Sequence, residues 1–216
     1  MRHALIVLLA TATLFGATLV QAQGFKFSNE DTSDQQNEAQ TQARVQAILA
    51  SPCRSKIKNQ RVMVLFGESR NGRIQAAQSN YGGPFDALNA RLQRVGLKTV
   101  TQGQIKAQVA QAEIDAYFKN DPDAALSASK RLSAQYILRG LISTETAYNN
   151  IVRVNQVSIR MNFTLTDGSG RTLAQASAEN ASYAGMDTSG MALTLINEKA
   201  DEVVAQLYSD YCRIGG

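Results

Sequence analysis

The strictest alternation of apolar and polar side chains in this chain of 216 residues is the stretch Val157-Ser158-Ile159-Arg160-Met161-Asn162-Phe163-Thr164-Leu165-Thr166. A period of two residues predicts a β-strand that buries one face and exposes the other. Turn signals border this strand, Asn149-Asn150 upstream and Asp167-Gly168-Ser169-Gly170 downstream. A returning strand from Arg171 to Tyr183 follows. We therefore predict that this part of the chain is antiparallel.

Two further expectations come from this alternation. Val152 and Val154 lie on the opposite parity to Val157, so we expect a bulge near Asn155-Gln156 that corrects the phase. Arg160 lies on the polar face, where it is either a contact for a partner or part of a solvated sheet face.

Upstream of the alternating strand, two short apolar runs, at residues 61–67 and 136–142, predict strands that are buried on both faces. Helical spacing and capping signals predict the elements around and between them. These are a helix near Ala39, a helix from Pro84 to Val95, a short strand at 97–100, a helix that Thr101 and Gln104 begin and that runs to Ala116, a helix from Pro122 to Leu132, and a long final helix from Ala192 to Tyr211. The predicted fold is α/β: a single domain with a mixed sheet, an antiparallel C-terminal part of three strands, and helices packed on it.

The first 22 residues predict a secretory signal peptide. Arg2 and His3 provide a positive start, residues 4–20 carry no charge, and Val20-Gln21-Ala22 is a small-residue cleavage pattern. We expect cleavage near Ala22, a periplasmic protein without a transmembrane segment in its mature chain, a flexible polar leader at 23–38, and the domain at 39–216.

Two cysteines, Cys53 and Cys212, lie near the two ends of the predicted domain. In an oxidising compartment such a pair is expected to form a disulfide; the alternative is two buried free thiols.

Composition excludes several classes of function. The net charge of +4 is spread along the chain, so no basic patch predicts nucleic-acid binding. The only histidine, His3, lies in the predicted signal peptide, so we expect no Ser-His-Asp or Cys-His nucleophile, no metal site and no cofactor. The Gly67–Gly72 segment lacks the Gly-Lys-Ser/Thr ending of a phosphate loop. Asp121 and Asp123 flank Pro122 at a helix start, where capping explains them.

From Arg61 to about Tyr183 the pattern resembles the envelope family that contains LpoB-type activators of penicillin-binding proteins, the curli-secretion protein CsgG and the N-terminal domain of TolB. The residues that carry the resemblance are the strand Val62–Phe66, the segment Ala87–Leu97, the helix start at Thr101-Gln102, the strand Ala134–Gly140 and the hairpin Phe163–Gly170. The resemblance implies a non-enzymatic module that contacts other envelope proteins. This chain lacks the lipidated N-terminal cysteine of lipoprotein members and the long alternating insertions of a pore-forming member.

The sequence therefore favours an exported periplasmic protein that acts by protein–protein contact in envelope assembly or regulation. Candidate contact residues are Arg70, Arg73, Tyr81 and Arg160, on the expected polar loop at 68–83 and the polar sheet face. Two alternatives stay open. One is a binding module for a small envelope ligand such as a cell-wall fragment. The other is a hydrolase that uses carboxylates alone.

Overall fold

The computed structural model describes residues 30–51, 53–70, 73–185 and 187–214. The chain divides into two compact units, Met1–Asn37 and Glu38–Gly216; the first is described only from Glu30, where it is helical. The predicted signal peptide lies outside the described residues. In chain order the elements are α1 (Glu30–Leu49), α2 (Arg54–Ile57), β1 (Arg61–Arg70), β2 (Arg73–Gln75), a 3₁₀-helix (Gln78–Tyr81), α3 (Gly82–Arg94), β3 (Lys98–Thr99), α4 (Gln102–Gln108), α5 (Gln111–Phe118), α6 (Pro122–Arg131), β4 (Tyr136–Asn149), β5 (Val154–Asp167), β6 (Thr172–Gly185) and α7 (Thr188–Ile214).

Within the described residues, six strands form one mixed sheet in the order β2-β1-β4-β5-β6, with β3 paired to β1. β1 and β4 run parallel, whereas β4, β5 and β6 form an antiparallel meander. β2 and β3 share the remaining edge of β1, since β4 occupies the other one. The predicted fold class, a mixed α/β sheet whose last three strands are antiparallel, is confirmed.

β1 is buried on both faces. The five consecutive side chains from Val62 to Phe66 are at most 1% exposed, as expected for an apolar run between two layers of helices. On one face, Val62 of β1 and Leu138 of β4 meet apolar side chains of α3 and α7. On the other face, a Cβ added at Gly67 would come within 2.6 Å of the Phe118 ring, so α5 packs directly on the strand there.

The meander matches the alternation in the sequence. Met161 and Phe163 are buried under α7, and Arg160 and Asn162 are exposed on the opposite face. The expected irregularity at Asn155–Gln156 is present against β6, where Ala184 is the extra residue, while the pairing with β4 continues through it. Both predicted turns are present. The Asn149 side chain accepts hydrogen bonds from the N–H groups two and three residues later, and the Asp167 side chain accepts from those two and four residues later.

The segment predicted as a surface loop at 68–83 is instead largely regular structure. β1 continues to Arg70, β2 pairs back on it, and a 3₁₀-helix follows. Gln78 is 2% exposed, and its buried carboxamide is fully paired. It donates to the Phe66 and Ala76 carbonyl oxygens, both at 2.7 Å, and accepts from the Phe66 N–H at 3.0 Å. It thereby satisfies the backbone of β1 at Phe66, between the positions where β3 and β2 pair.

Two helix boundaries also differ from prediction. The helix expected near Ala39 begins at Glu30. The single helix expected from Thr101 to Ala116 is two helices, because Val109 and Ala110 adopt extended backbone angles. Glu113 stabilises the second start by accepting the Ala110 N–H at 3.0 Å, while the capping box at Thr101 and Gln104 and the Asp121 cap are confirmed.

The predicted disulfide is present: the sulfur atoms of Cys53 and Cys212 are 2.00 Å apart and their Cα atoms 5.7 Å apart. It joins the turn before α2 to the end of α7, across 159 residues of chain. Chain-entropy arithmetic gives roughly 5 kcal/mol as the upper stabilisation from so long a loop.

We predict that Phe163→Ala lowers the free energy of unfolding by roughly 3–5 kcal/mol, because it leaves a cavity beneath α7. Asn162→Ala, on the same strand but facing solvent, should change it by about 0.5 kcal/mol or less. Urea unfolding of the two variants checks this, and the reverse ranking would contradict the assigned strand parity.

We also predict that Cys212→Ser lowers the free energy of unfolding by about 2–5 kcal/mol, the usual effect of removing a native disulfide from a small secreted domain. Thermal unfolding with and without reductant provides the control: reductant should destabilise the unaltered chain and leave the variant unchanged. An equal response of both to reductant would refute the stabilising role.

Candidate protein-contact surface

No described helix covers the centre of the outward face of β4, β5 and β6; we call this face the open face. Strand register places its side chains in rungs of three. The central rung is Ser143, Arg160 and Glu179, and the next is Glu145, Ser158 and Ala181. The remaining rungs are Arg139-Thr164-Gln175, Leu141-Asn162-Ser177 and Ala147-Gln156-Tyr183.

The two central rungs line a depression of about 360 Å³. It forms because Ser143, Ser158 and Ala181 are small and leave space beside the two long charged side chains. Arg160 and Glu179 form an ion pair across neighbouring strands, with Nε and Oε2 3.4 Å apart. Their side chains are 68% and 73% exposed, so water screens the pair and it contributes at most about 1 kcal/mol.

Arg139 forms the rim of the open face next to α5. Its guanidinium lies 5.0 Å from the centre of the Phe118 ring and 5.8 Å from that of Tyr117. One Nη donates to the Phe118 carbonyl oxygen at 3.4 Å. Burial raises the pKa of the Tyr117 hydroxyl, against the opposing effect of the Arg139 charge. These contacts between β4 and α5 mark the boundary between the part of this face that α5 covers and the open face.

The structure separates the residues that the sequence suggested as contacts. Arg160 is at the centre of the open face. Arg73 is exposed on β2, and β1 and β4 lie between β2 and β5. The pairing of β2 with β1 also places Arg73 on the face of the sheet opposite to the open face. The side chain of Arg70 lies outside the described part. Arg73 and Arg160 therefore do not form one surface.

The structure places Tyr81 in the core, not on the surface where the sequence predicted it. It is 5% exposed, its hydroxyl donates to the Gln75 carbonyl oxygen at 2.7 Å, and its ring packs 6.2 Å from that of Phe66. A tyrosine beside glycines suggested a surface loop, but the 3₁₀-helix turns it into the core. Glu145 and Glu179 are the surface residues that sequence reasoning missed, since only strand register brings them beside Arg160.

A second depression, of about 310 Å³, lies at the turn after β5. The hydroxyls of Tyr136 and Tyr211 are 2.9 Å apart across it, and burial together with this hydrogen bond raises the pKa of Tyr136. Asp167 accepts hydrogen bonds from the Ser169 hydroxyl, the backbone and Arg171, which lower its pKa to about 2. Aromatic rings beside a charged pair give this depression the character of a polar small-molecule site.

Two observations concern metal binding and membrane-spanning helices. Among the described residues, no three His, Cys, Asp or Glu side chains come together in a way that could hold a metal ion. None of the described helices combines the length and apolarity needed to cross a bilayer.

Comparison with solved structures finds similar chains of bacterial origin. A lipoprotein of Neisseria meningitidis is 14% identical with a TM-score of 0.47, over 67% of this chain and 97% of that one. The C-terminal domain of LpoB from Salmonella enterica is 15% identical with a TM-score of 0.41, over 65% and 94%. A PelC dodecamer from Paraburkholderia phytofirmans is 14% identical with a TM-score of 0.41, over 69% and 89%. LpoB thus occurs both in the sequence resemblance and among the similar structures.

No protein-family model matches the chain, and no curated protein matches it. At the identities and TM-scores of the similar structures, none of them assigns a role to a residue of this chain.

We predict that acid destabilises the turn after β5. The pKa of Asp167 is lowered from 3.8 to about 2, so its stabilisation is complete above the ordinary aspartate value and is lost as the pH falls through about 2. Asp167→Asn should cost roughly 1 kcal/mol at neutral pH, allowing for partial solvent screening, and almost nothing near pH 2. Urea unfolding across this range should show that the free energies of unfolding of the unaltered chain and of Asp167→Asn converge as the pH falls. Asp86→Asn, at an exposed position of α3, is the control. A constant difference between Asp167→Asn and the unaltered chain at all pH values would contradict the assignment.

Proposed function

We propose that this chain is an exported, non-enzymatic periplasmic protein that acts through protein–protein contacts in cell-envelope assembly or regulation, with the open face as its contact surface. The leader sequence, the disulfide and the sequence resemblance to envelope activators support export and this class of role. The observation that carries the proposal is an ordered sheet face that has charged side chains at its centre and that none of the helices in the described part of the chain covers.

The charges of the open face favour a particular partner surface. Arg160, Glu145 and Glu179 line one depression, so the acidic groups outnumber the basic one there. The existing ion pair is weak because both side chains are largely exposed, so a partner can replace it at little cost. We infer that the partner presents a basic side chain to the two glutamates and a carboxylate or carbonyl group to Arg160.

The size of the open face predicts a transient contact. Three strands spaced about 4.8 Å apart, over some ten residues that rise about 3.3 Å each, cover on the order of 400–500 Å². A standard stable interface buries about 800 Å² on each partner. The open face alone therefore suits a reversible, regulatory encounter, and a durable complex would have to use a further surface.

A second candidate function is binding of a small polar envelope ligand, such as a cell-wall fragment. The depression lined by Tyr136, Asp167, Arg171 and Tyr211 favours it, because its volume of about 310 Å³ lies at the lower end of ligand sites. Hydrolysis by carboxylates alone has less support: a general acid needs a sheltered carboxyl group, and Glu179 is 73% exposed.

We predict that a photo-crosslinking amino acid at position 177, on the open face, captures an envelope protein in intact cells. The matched control is position 127, an exposed serine on α6. Arg160→Glu should reduce the capture several-fold by placing a third acid in the depression, whereas Lys130→Glu, with the same charge change on α6, should leave it intact. This chain itself, isolated from the periplasmic fraction, should have a mature N-terminus near Gln23.

Two results would contradict the proposal. Equal capture from positions 127 and 177 would show that the open face has no special role. Undiminished capture by a folded Arg160→Glu variant would show that the depression is not the contact. If Arg160→Glu loses capture but its circular dichroism spectrum shows misfolding, Arg160→Gln replaces it, because glutamine removes the positive charge without adding an acid. A folded Arg160→Gln variant with undiminished capture would contradict the proposal.

A further inference from the structure

The hairpin between β4 and β5 ends in an apolar apex that no described residue covers. Ile151 is 91% exposed and Val152 is 54% exposed. Exposure of single apolar residues is ordinary, but two adjacent aliphatic side chains at the tip of a hairpin with two strands of 14 residues form a projecting apolar feature. The sequence pattern places these residues at a break in the alternation of β5; in the structure they form the turn itself.

Three backbone donors of this apex are satisfied from within the turn. The Asn149 Oδ1 accepts from the Ile151 N–H at 2.9 Å and from the Val152 N–H at 3.2 Å, and its carbonyl oxygen accepts from the Arg153 N–H at 2.8 Å. An unpaired peptide group costs several kcal/mol in an apolar medium. These three donors need no water, so their transfer into such a medium does not carry that cost.

Aromatic side chains lie behind the apex on both sides of the hairpin. Tyr148 is 58% exposed and Tyr183 is 53% exposed. Tyr183 shares a face with Gln156 and Ala147, so it lies on the face opposite to Tyr148. With a rise of about 3.3 Å for each extended residue, Tyr148 is roughly 7–10 Å from the tip. This is close to the depth of about 5–10 Å to which interfacial segments enter a bilayer.

Within residues 147–156 of the hairpin, the charge is of one sign. Arg153 is the only charged residue between Thr146 and Val157. A basic side chain at this level can extend to lipid phosphates while its alkyl part stays among apolar groups.

We propose that the apex of the β4–β5 hairpin, Tyr148 to Arg153 together with Tyr183, inserts into the interfacial region of an anionic lipid bilayer. The aliphatic side chains form the tip, Arg153 lies in the turn beside them, and the two tyrosines lie one or two rungs behind. An aliphatic tip suits the acyl chains, and a long basic side chain and tyrosines suit the headgroup region. A bilayer also surrounds an inserted hairpin, which suits tyrosines on both faces; a flat protein surface would contact one face only. The inference goes beyond the proposed function and does not depend on the open face having a protein partner.

The experiment uses vesicles of phosphatidylethanolamine and phosphatidylglycerol with the purified chain, which contains no tryptophan. Ile151→Trp places a single fluorophore at the apex, and Ser177→Trp places one on the open face. We expect vesicles to shift the emission of the first to shorter wavelength and brominated acyl chains to quench it, with neither effect on the second. Residues 1–29 are the same in both variants, so their contribution to binding does not affect the comparison.

A second measurement guards against affinity created by the tryptophan itself. Sedimentation with vesicles should show that Ile151→Asp lowers the partition coefficient roughly tenfold, while Ile74→Asp, a matched change at another exposed isoleucine, leaves it unchanged. An unshifted emission from the Ile151→Trp variant would overturn the proposal and leave a protein pocket as the apex's occupant. Equal effects of the two Asp variants would overturn it as well.

Discussion

Eight residue pairs, from Val62–Tyr136 to Ser69–Ser143, join β1 and β4 in parallel, and the remaining elements are arranged around this pairing. A parallel pair needs a long crossover, and here the crossover is the whole stretch from β2 to α6. Aromatic rings pack directly over Gly140 of β4: a Cβ there would come within 2.6 Å of Phe163 and 2.9 Å of Phe66. Because that space is already filled by aromatic rings, the core leaves little freedom in how the helices lie on it.

The same topology explains why one half of the sheet is open. The crossover helices α4 to α6 return beside β1 and the beginning of β4, where Phe118 and Arg139 mark their limit. β5 and β6 are connected by tight turns and bring no helix of their own to that side. α7 then covers the opposite, apolar face, which leaves Arg160 and Glu179 on the exposed one.

Local signals predicted most of the fold, and interactions distant in sequence account for what they missed. The alternation around Met161, the capping box at Thr101 and the Cys53–Cys212 pair could be identified from the residues themselves. The role of Gln78 could not, because a glutamine in a polar segment that ends in glycines suggests a surface loop unless the unpaired backbone of β1 is already known. The same holds for the candidate surface: Arg160 was predicted, whereas its neighbours Glu145 and Glu179 depend on the register of three strands.

The Cys53–Cys212 bridge also determines how the domain would respond to mechanical force. The chain before Cys53 leads through α1 toward the N-terminus, and β1 begins only after α2. A pull between the segment before Cys53 and the residues after Cys212 reaches Cys53 first and passes through the covalent bond to the last turn of α7. β1 is therefore kept out of the direct load path and is not peeled from β4 one hydrogen bond at a time. Under such a pull the disulfide bears the tension, while the residues between the two cysteines, with the central strand pair and nearly all of α7 among them, stay unloaded.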